Sequence, residues 1–134
     1  MPVSYSYNSN LHAIEVVCTG KLTLEEITQY FVDLERDASM PSHAIEVVDL
    51  DGLEEFDLSS KAASRMPEAY ERVNVEKAIA ATILIGTKDV NYGIGRMIQT
   101  YFDSFMPQHT FEIVRSKEEA HALLARLRHD AGHR

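Results

Sequence analysis

Ala78-Ile-Ala-Ala-Thr-Ile-Leu-Ile85, followed at once by Gly86, is the stretch on which the fold turns. It carries no charge and no strict alternation of apolar with polar side chains. At this length, rich in β-branched residues and bounded by Gly, it reads as one strand that is apolar on both faces. That is the pattern of a central strand in a parallel sheet.

On its C-terminal side, Tyr92–Phe105 predicts a helix that Pro107 terminates. Thr110–Val114 reads as another strand. Ser116-Lys-Glu-Glu119 is a capping box opening a last helix with Ala120, Leu123, Leu124 and Leu127 on its inner face. The tail from His129 is expected to fray.

On the N-terminal side, Ser59-Ser60 are good N-cap residues for a helix through about Val73, and Pro67 should kink or divide it. A loop, Asp51–Leu58, precedes it, and Ile45–Leu50 reads as a strand. Before that, Thr23-Leu-Glu-Glu26 is a capping box. Leu24, Ile27, Phe31 and Leu34 follow it at helical spacing, until Met40-Pro41 stops the helix. The chain opens with a hairpin. Val3–Tyr7 alternates apolar with Ser, Asn8-Ser9-Asn10 is turn chemistry, and Leu11–Thr19 returns to Gly20. The predicted order is β-β-α-β-α-β-α-β-α, a single α/β domain over residues 1–134. Its five-stranded, mostly parallel sheet is flanked by four helices, which cover at least one face.

Composition narrows the function classes. The chain has 134 residues, 45% hydrophobic and 25% charged, the balance of an ordinary globular domain. No apolar run approaches the roughly 20 residues of a membrane helix. The N-terminal Met-Pro-Val-Ser-Tyr has neither a charged leader nor an apolar signal core, so the expected location is cytoplasmic. Cys18 is the single cysteine, which excludes an internal disulfide and fits a reducing compartment. Its neighbours Val16 and Val17 predict a buried, inert thiol. A net charge of −8 argues against nucleic-acid partners, which need clustered Lys and Arg.

Three stretches carry candidate chemistry. Val47-Val-Asp-Leu-Asp-Gly-Leu53 ends an apolar strand in Asp-x-Asp-Gly, similar to the opening motif of haloacid-dehalogenase-type phosphatases. In that family the two Asp, here Asp49 and Asp51, are nucleophile and general acid/base and help to hold Mg²⁺. Thr87 imitates that family's phosphate-binding Ser/Thr. Leu53 stands where the family has Thr, and no later acidic pair follows a strand. The acidic run Asp49, Asp51, Glu54, Glu55 and Asp57 lacks the spacing of a Ca²⁺ loop.

The second stretch, Gly86-Thr-Lys-Asp-Val-Asn-Tyr-Gly-Ile-Gly-Arg96, joins the most buried strand to a helix. Ligands collect at such junctions. Lys88, Tyr92, Gly93, Gly95 and Arg96 are the candidate binding residues, set against the alternative that the glycines serve close helix-to-sheet packing. The third is Phe56-Asp-Leu-Ser-Ser60, where a Ser at a helix N-terminus can carry a phosphate or act as a plain N-cap. The six histidines converge on no metal or triad. Tyr30, Phe31, Tyr101, Phe102 and Phe105 read as core and rim.

Three segments carry a family resemblance: the Val47–Leu53 strand end, the helix opening Tyr92-Gly-Ile-Gly-Arg-Met97, and the closing Phe111-Glu-Ile-Val-Arg-Ser-Lys-Glu-Glu-Ala120. With these and the element order, the chain resembles the STAS domains. These include the sporulation anti-anti-sigma factors and related small bacterial STAS-like, CRAL-TRIO-like proteins. The resemblance spans nearly the whole chain. It implies that Ser59 matches the phosphorylated Ser of the anti-anti-sigma Asp-Ser-Ser-Gly junction. Here Leu58 replaces the adjacent Asp, which sits one place earlier as Asp57, and Lys61 replaces the Gly. The lipid-exchange relatives imply an apolar cavity between sheet and helices, for which a chain this short leaves little volume.

The resulting expectation is a non-enzymatic regulatory or binding module without a cofactor. It acts through a protein partner or a small ligand at Asp57, Ser59, Ser60, Lys88, Tyr92, Gly93, Gly95 and Arg96, with Ser59 open to phosphorylation. The alternatives are a Mg²⁺-dependent phosphatase using Asp49 and Asp51, and a carrier of small apolar ligands. The exposed hairpin edge Val3–Tyr7 also offers a pairing surface for a homodimer.

Overall fold

The computed structural model describes residues 2–57 and 59–132, with side chains for all of these but 57, 60, 131 and 132. Five strands form one sheet: β1 (Val3–Asn8), β2 (Ala13–Thr23), β3 (Ile45–Asp57), β4 (Ala81–Ile85) and β5 (Thr110–Val114). Their spatial order equals their chain order, with β1 antiparallel to β2 and every other pair parallel. The helices are α1 (Leu24–Arg36), α2 (Ser60–Ser64), α3 (Met66–Val73), α4 (Asp89–Phe105) and α5 (Lys117–Gly132).

A sheet that grows in one direction through crossovers of one hand must place every connecting helix on the same face. The packing follows that rule. α1, α3 and α4 cover one face, burying Ile14, Val16, Cys18, Val48, Leu50, Leu84, Phe111 and Ile113 from the strands. The last helix, α5, connects no further strand among the described residues and covers the other face. There Ala120, Leu123 and Leu124 close over Ala13, Ile45, Val47, Ala81, Ile83 and Ile85. Alternate residues of β3 and β4 thus enter separate cores, which is why the 78–85 run needs no polar face.

Several sequence expectations move. The central strand begins at Ala81, because Ala78 adopts φ +42° and breaks extended geometry ahead of it. The predicted second helix divides into α2 and α3 at Arg65. Pro67 then sits in the first turn of α3, where its missing N–H costs nothing, so five helices stand where four were expected. α4 starts at Asp89, three residues earlier than predicted, and α5 continues to Gly132, past the expected fraying point at His129.

The largest change concerns β2 and β3. Gly20 does not end β2, and residues 51–57 are strand rather than loop. The pair continues through Thr19↔Gly52, Leu22↔Phe56 and Thr23↔Asp57, beyond the last β3–β4 partner at Asp49. Two register shifts allow this, and Gly20 takes φ +65° at one of them, a conformation that favours glycine. Gly52 lies so close to β2 that a Cβ there would fall 2.8 Å from the Cys18 carbonyl oxygen.

Candidate functional site

β4 contributes Thr82 and β3 contributes Glu46, directly opposite each other in register, to the face covered by α1, α3 and α4. On either side of them in the sheet stand Ile14 and Phe111. Glu46 is therefore a carboxyl placed in the middle of an apolar face, and only 3% of it is exposed. Such a group must find hydrogen-bond partners or lose its charge.

It finds two donors. Tyr30 of α1 donates its hydroxyl to Glu46 Oε2 at 2.6 Å, and Thr82 donates to Oε1 at 2.7 Å. Because Thr82 spends its single proton on Glu46, the 3.0 Å contact between Thr82 Oγ1 and His109 Nε2 requires the His109 N–H to donate. Burial lowers the His109 pKa and favours the neutral ring that this tautomer describes. The chain His109→Thr82→Glu46←Tyr30 thus points every proton at one carboxyl.

This chain of hydrogen bonds holds no Lys or Arg, and its one basic group, His109, reaches Glu46 only through Thr82. Desolvation raises the Glu46 pKa, against the two hydrogen bonds that lower it. Tyr30 is held well above its usual value by burial and then by the neighbouring Glu46. Tyr70 of α3 is pushed up by the same two influences. Its hydroxyl lies near Glu46 and close enough to Thr82 for that contact to work against the rise, yet it is buried and makes no well-formed hydrogen bond. A lone hydroxyl in an apolar interior costs about 1–3 kcal/mol.

Around this cluster lies an interior cavity of about 60 Å³ between the sheet and α1, α3 and α4. Glu46, Thr82, Tyr30 and Tyr70 line it, among apolar residues that include Val16, Val48, Leu84 and Phe102. Aromatic edges frame it: Phe31 meets Tyr70 at 5.1 Å, Tyr70 meets His109 at 5.5 Å, and Phe102 stacks on Phe111 at 4.4 Å. Cys18 also lines the cavity, buried as expected, its thiol pushed up to about 12 by desolvation and then by Asp49 and Glu46. A neutral thiol of this kind is not a nucleophile.

The stretches singled out by sequence take other roles. Asp51 Oδ1 accepts from the Thr87 amide at 2.8 Å and from Asn91 Nδ2 at 3.4 Å, tying the middle of β3, just past its last β4 partner, to the turn before α4 and to the first turn of α4. Burial raises its pKa, but these bonds and the Lys88 charge outweigh it, and the net shift is downward. Asp49 Oδ1 accepts from the Asp51 amide. Both carboxylates of the Asp-x-Asp motif therefore support the backbone. Among the described residues, no group of three or more His, Cys, Asp or Glu side chains is arranged to hold a metal ion.

Gly93 and Gly95 lie inside α4, whose earlier start places them in its second turn rather than at its opening. Gly95 packs against Ile113 with no room for a Cβ, the close-packing alternative, while Gly93 faces open space. Tyr92 lies under the Arg115 guanidinium at 4.0 Å, and Arg115 pairs with Asp89 at 2.6 Å. Arg96 donates to Gln99, and Lys88 is the exposed N-cap of α4. Ser59 caps α2, its Oγ accepting from the Ala62 amide at 3.1 Å. α2 packs on α4, so Ser59, Lys88 and Arg96 belong to neighbouring elements. The side chains of Asp57 and Ser60 lie outside the described residues.

Glu46, Tyr30, Thr82, Tyr70 and His109 escaped the sequence reading as a group. His109 reads in sequence only as preceding a strand, and its contact with Thr82 was not foreseen. A signal was present: Thr82 is the only polar residue of 78–85, and Glu46 the only charge within Ala44–Val48.

No family model matches the chain, and no curated protein matches it. Among solved structures it is similar to an uncharacterized protein of the DUF3478 family from Shewanella loihica PV-4, described as having a SpoIIAA-like fold. The two chains share 16% identity with a TM-score of 0.56, over 91% of each. That likeness is one of architecture, and together with the strand order it shows that this chain has the STAS-like, SpoIIAA-like fold.

Proposed function

We propose that the protein is a non-catalytic binding module that holds a small, mostly apolar molecule in the cavity between the sheet and α1, α3 and α4. The observation that carries this reading is the pairing of an apolar cavity with a nine-tenths-buried polar cluster, one hydroxyl of which has no partner. Small-molecule sites have that composition: apolar walls with a few convergent polar groups. The phosphatase alternative loses support because Asp49 and Asp51 are engaged by backbone amides. The ligand site thus moves from the carboxyl ends of the strands to the interior.

Titration with 1-butanol, followed by backbone amide NMR, tests this reading. Saturable 1:1 shifts are expected at Glu46–Val48, Thr82–Leu84 and Tyr70. They should be lost when Val16→Ile and Val48→Ile together fill the cavity. Absence of saturable shifts at those interior residues would overturn it.

A second reading, contact with a protein partner across Ser59, Lys88 and Arg96, is favoured by the exposure of all three residues on adjoining elements. Ser59→Asp or Arg96→Ala should then weaken partner capture, and normal capture by both variants removes that reading.

A further inference from the structure

The cavity is acidic without being basic anywhere. Its lining holds one carboxyl, Glu46, and no Lys, Arg or His side chain. A carboxylate at that depth has only two ways to avoid an unpaired charge: it keeps a proton, or it meets a cation. The protein supplies hydrogen-bond donors to it but no Lys or Arg, and His109, whose protonated form burial disfavours, reaches it only through Thr82.

A second observation lies on the surface side of the same wall. Val3 and Tyr30, which line the cavity, also line a groove between β1 and α1 whose other walls are Pro2, Tyr5, Glu26, Gln29 and Asp33. This groove too holds carboxyl groups and no basic side chain. One of its carboxyl oxygens, Glu26 Oε2, is buried with no hydrogen-bond partner. Two adjoining concave surfaces, sharing a wall, thus each present a carboxyl group and one buried oxygen without a hydrogen-bond partner: the Tyr70 hydroxyl in the cavity and Glu26 Oε2 in the groove.

We propose that the cavity selects a small amphiphile with a primary ammonium head, which Glu46 and the Tyr70 hydroxyl accept while the apolar tail lies among Val16, Val48, Leu84 and Phe102. This rests on the cavity reading above and specifies its ligand class. An ammonium carries three donors and no acceptor, the complement of a carboxylate with free lone pairs beside an unpartnered hydroxyl oxygen. A charge-assisted bond of this kind is about twice as strong as a neutral one. A carboxylate head would meet Glu46 as a like charge with no counter-ion near. A neutral alcohol fits the hydrogen bonds but leaves the Glu46 charge unmatched. The volume of about 60 Å³ sets the scale of the tail at a few carbon atoms.

The test compares three probes of one tail length: butylammonium, 1-butanol and butyrate, titrated at equal ionic strength into the full chain. Binding is read from interior amide shifts so that surface attraction to the acidic protein does not count. Butylammonium should bind at least tenfold more tightly than 1-butanol, and butyrate should not bind. Glu46→Gln should bring butylammonium and 1-butanol to within about twofold of each other. Tyr70→Phe, which removes no hydrogen bond of the free protein, serves as the second variant should Glu46→Gln fail to fold. It should weaken butylammonium severalfold and 1-butanol by a smaller factor, so that the preference for the ammonium narrows.

If 1-butanol or butyrate binds as tightly as butylammonium, or if the preference survives both substitutions, the ammonium inference is overturned while the cavity reading stands. If none of the three shifts an interior residue, both fall.

Discussion

Tyr30 and Tyr70 put the same functional group in the same interior with opposite consequences. Tyr30 donates to Glu46 at 2.6 Å, whereas Tyr70 leaves its hydroxyl unpartnered. Tyr30→Phe should therefore destabilise the fold by about 1.5–3 kcal/mol, the range for a hydrogen bond to a charged group. Tyr70→Phe should be neutral or stabilising by about 1 kcal/mol. Urea unfolding of the two variants checks the contrast, and equal destabilisation would contradict the assignment. Glu46 gives a pH prediction. Its pKa is raised in the folded protein, so above the ordinary value of 4.5 the folded state holds a proton that the unfolded state has released. Stability is then lost as pH rises from 4.5 toward the folded-state pKa. Glu46→Gln should flatten that limb of the curve measured by denaturant midpoint.

At the scale of elements, the β2–β3 ribbon and the β3–β4 junction were the parts the sequence misdirected. Asp51–Leu58 has the acidic, Gly-containing look of a loop, and period-2 alternation is hard to see in Asp-Gly-Leu-Glu-Glu-Phe-Asp. What makes it a strand is the backbone of β2 lying alongside, an interaction no local pattern encodes. Gly52→Ala should cost about 1–3 kcal/mol, since the new methyl meets a backbone carbonyl that cannot rotate away. Thermal unfolding measures it. Asp51→Ala should release the Thr87 amide and the Asn91 side chain from the middle of β3. Faster hydrogen exchange at Thr87 is the expected readout, with β1–β2 exchange unchanged.

Over the whole molecule, several carboxylates act in the opposite sense to Glu46. Glu35 accepts three amides, from Val75, Glu76 and Lys77, at 3.1, 2.9 and 3.0 Å, closing the segment after α3 onto the end of α1. Desolvation raises its pKa, but the amides of Glu76, Lys77 and Val75 outweigh it. Asp37 is lowered by the Ser39 and Tyr5 hydroxyls. Asp51 is lowered as well. These three contribute stability that is present above the ordinary carboxyl values, 3.8 for Asp and 4.5 for Glu, and lost as pH falls below them. Burial lowers the His109 pKa, so that ring adds stability as pH rises toward its ordinary 6.5 and opposes Glu46 over the same range. The Glu46 contribution is therefore read as the difference between the wild-type and Glu46→Gln curves, and identical slopes above pH 4.5 would contradict its raised pKa.

The sequence by itself determined the elements with strong local chemistry. The Thr23 cap, the 78–85 apolar run and the Pro-terminated helices needed only periodicity and side-chain preference, and they suffice for an α/β domain with a mostly parallel sheet. Ser59 was legible as a cap for the same reason. The candidate site was not. Glu46 and Thr82 lie 36 residues apart and become neighbours only through strand register. Tyr30 and Tyr70 join them only because one-handed crossovers stack α1 and α3 on the same face as that pair, and His109 because it enters β5 beside β4. Register and crossover hand are properties of the assembled sheet, so only the tertiary structure could turn five scattered polar residues into one buried cluster beside a cavity.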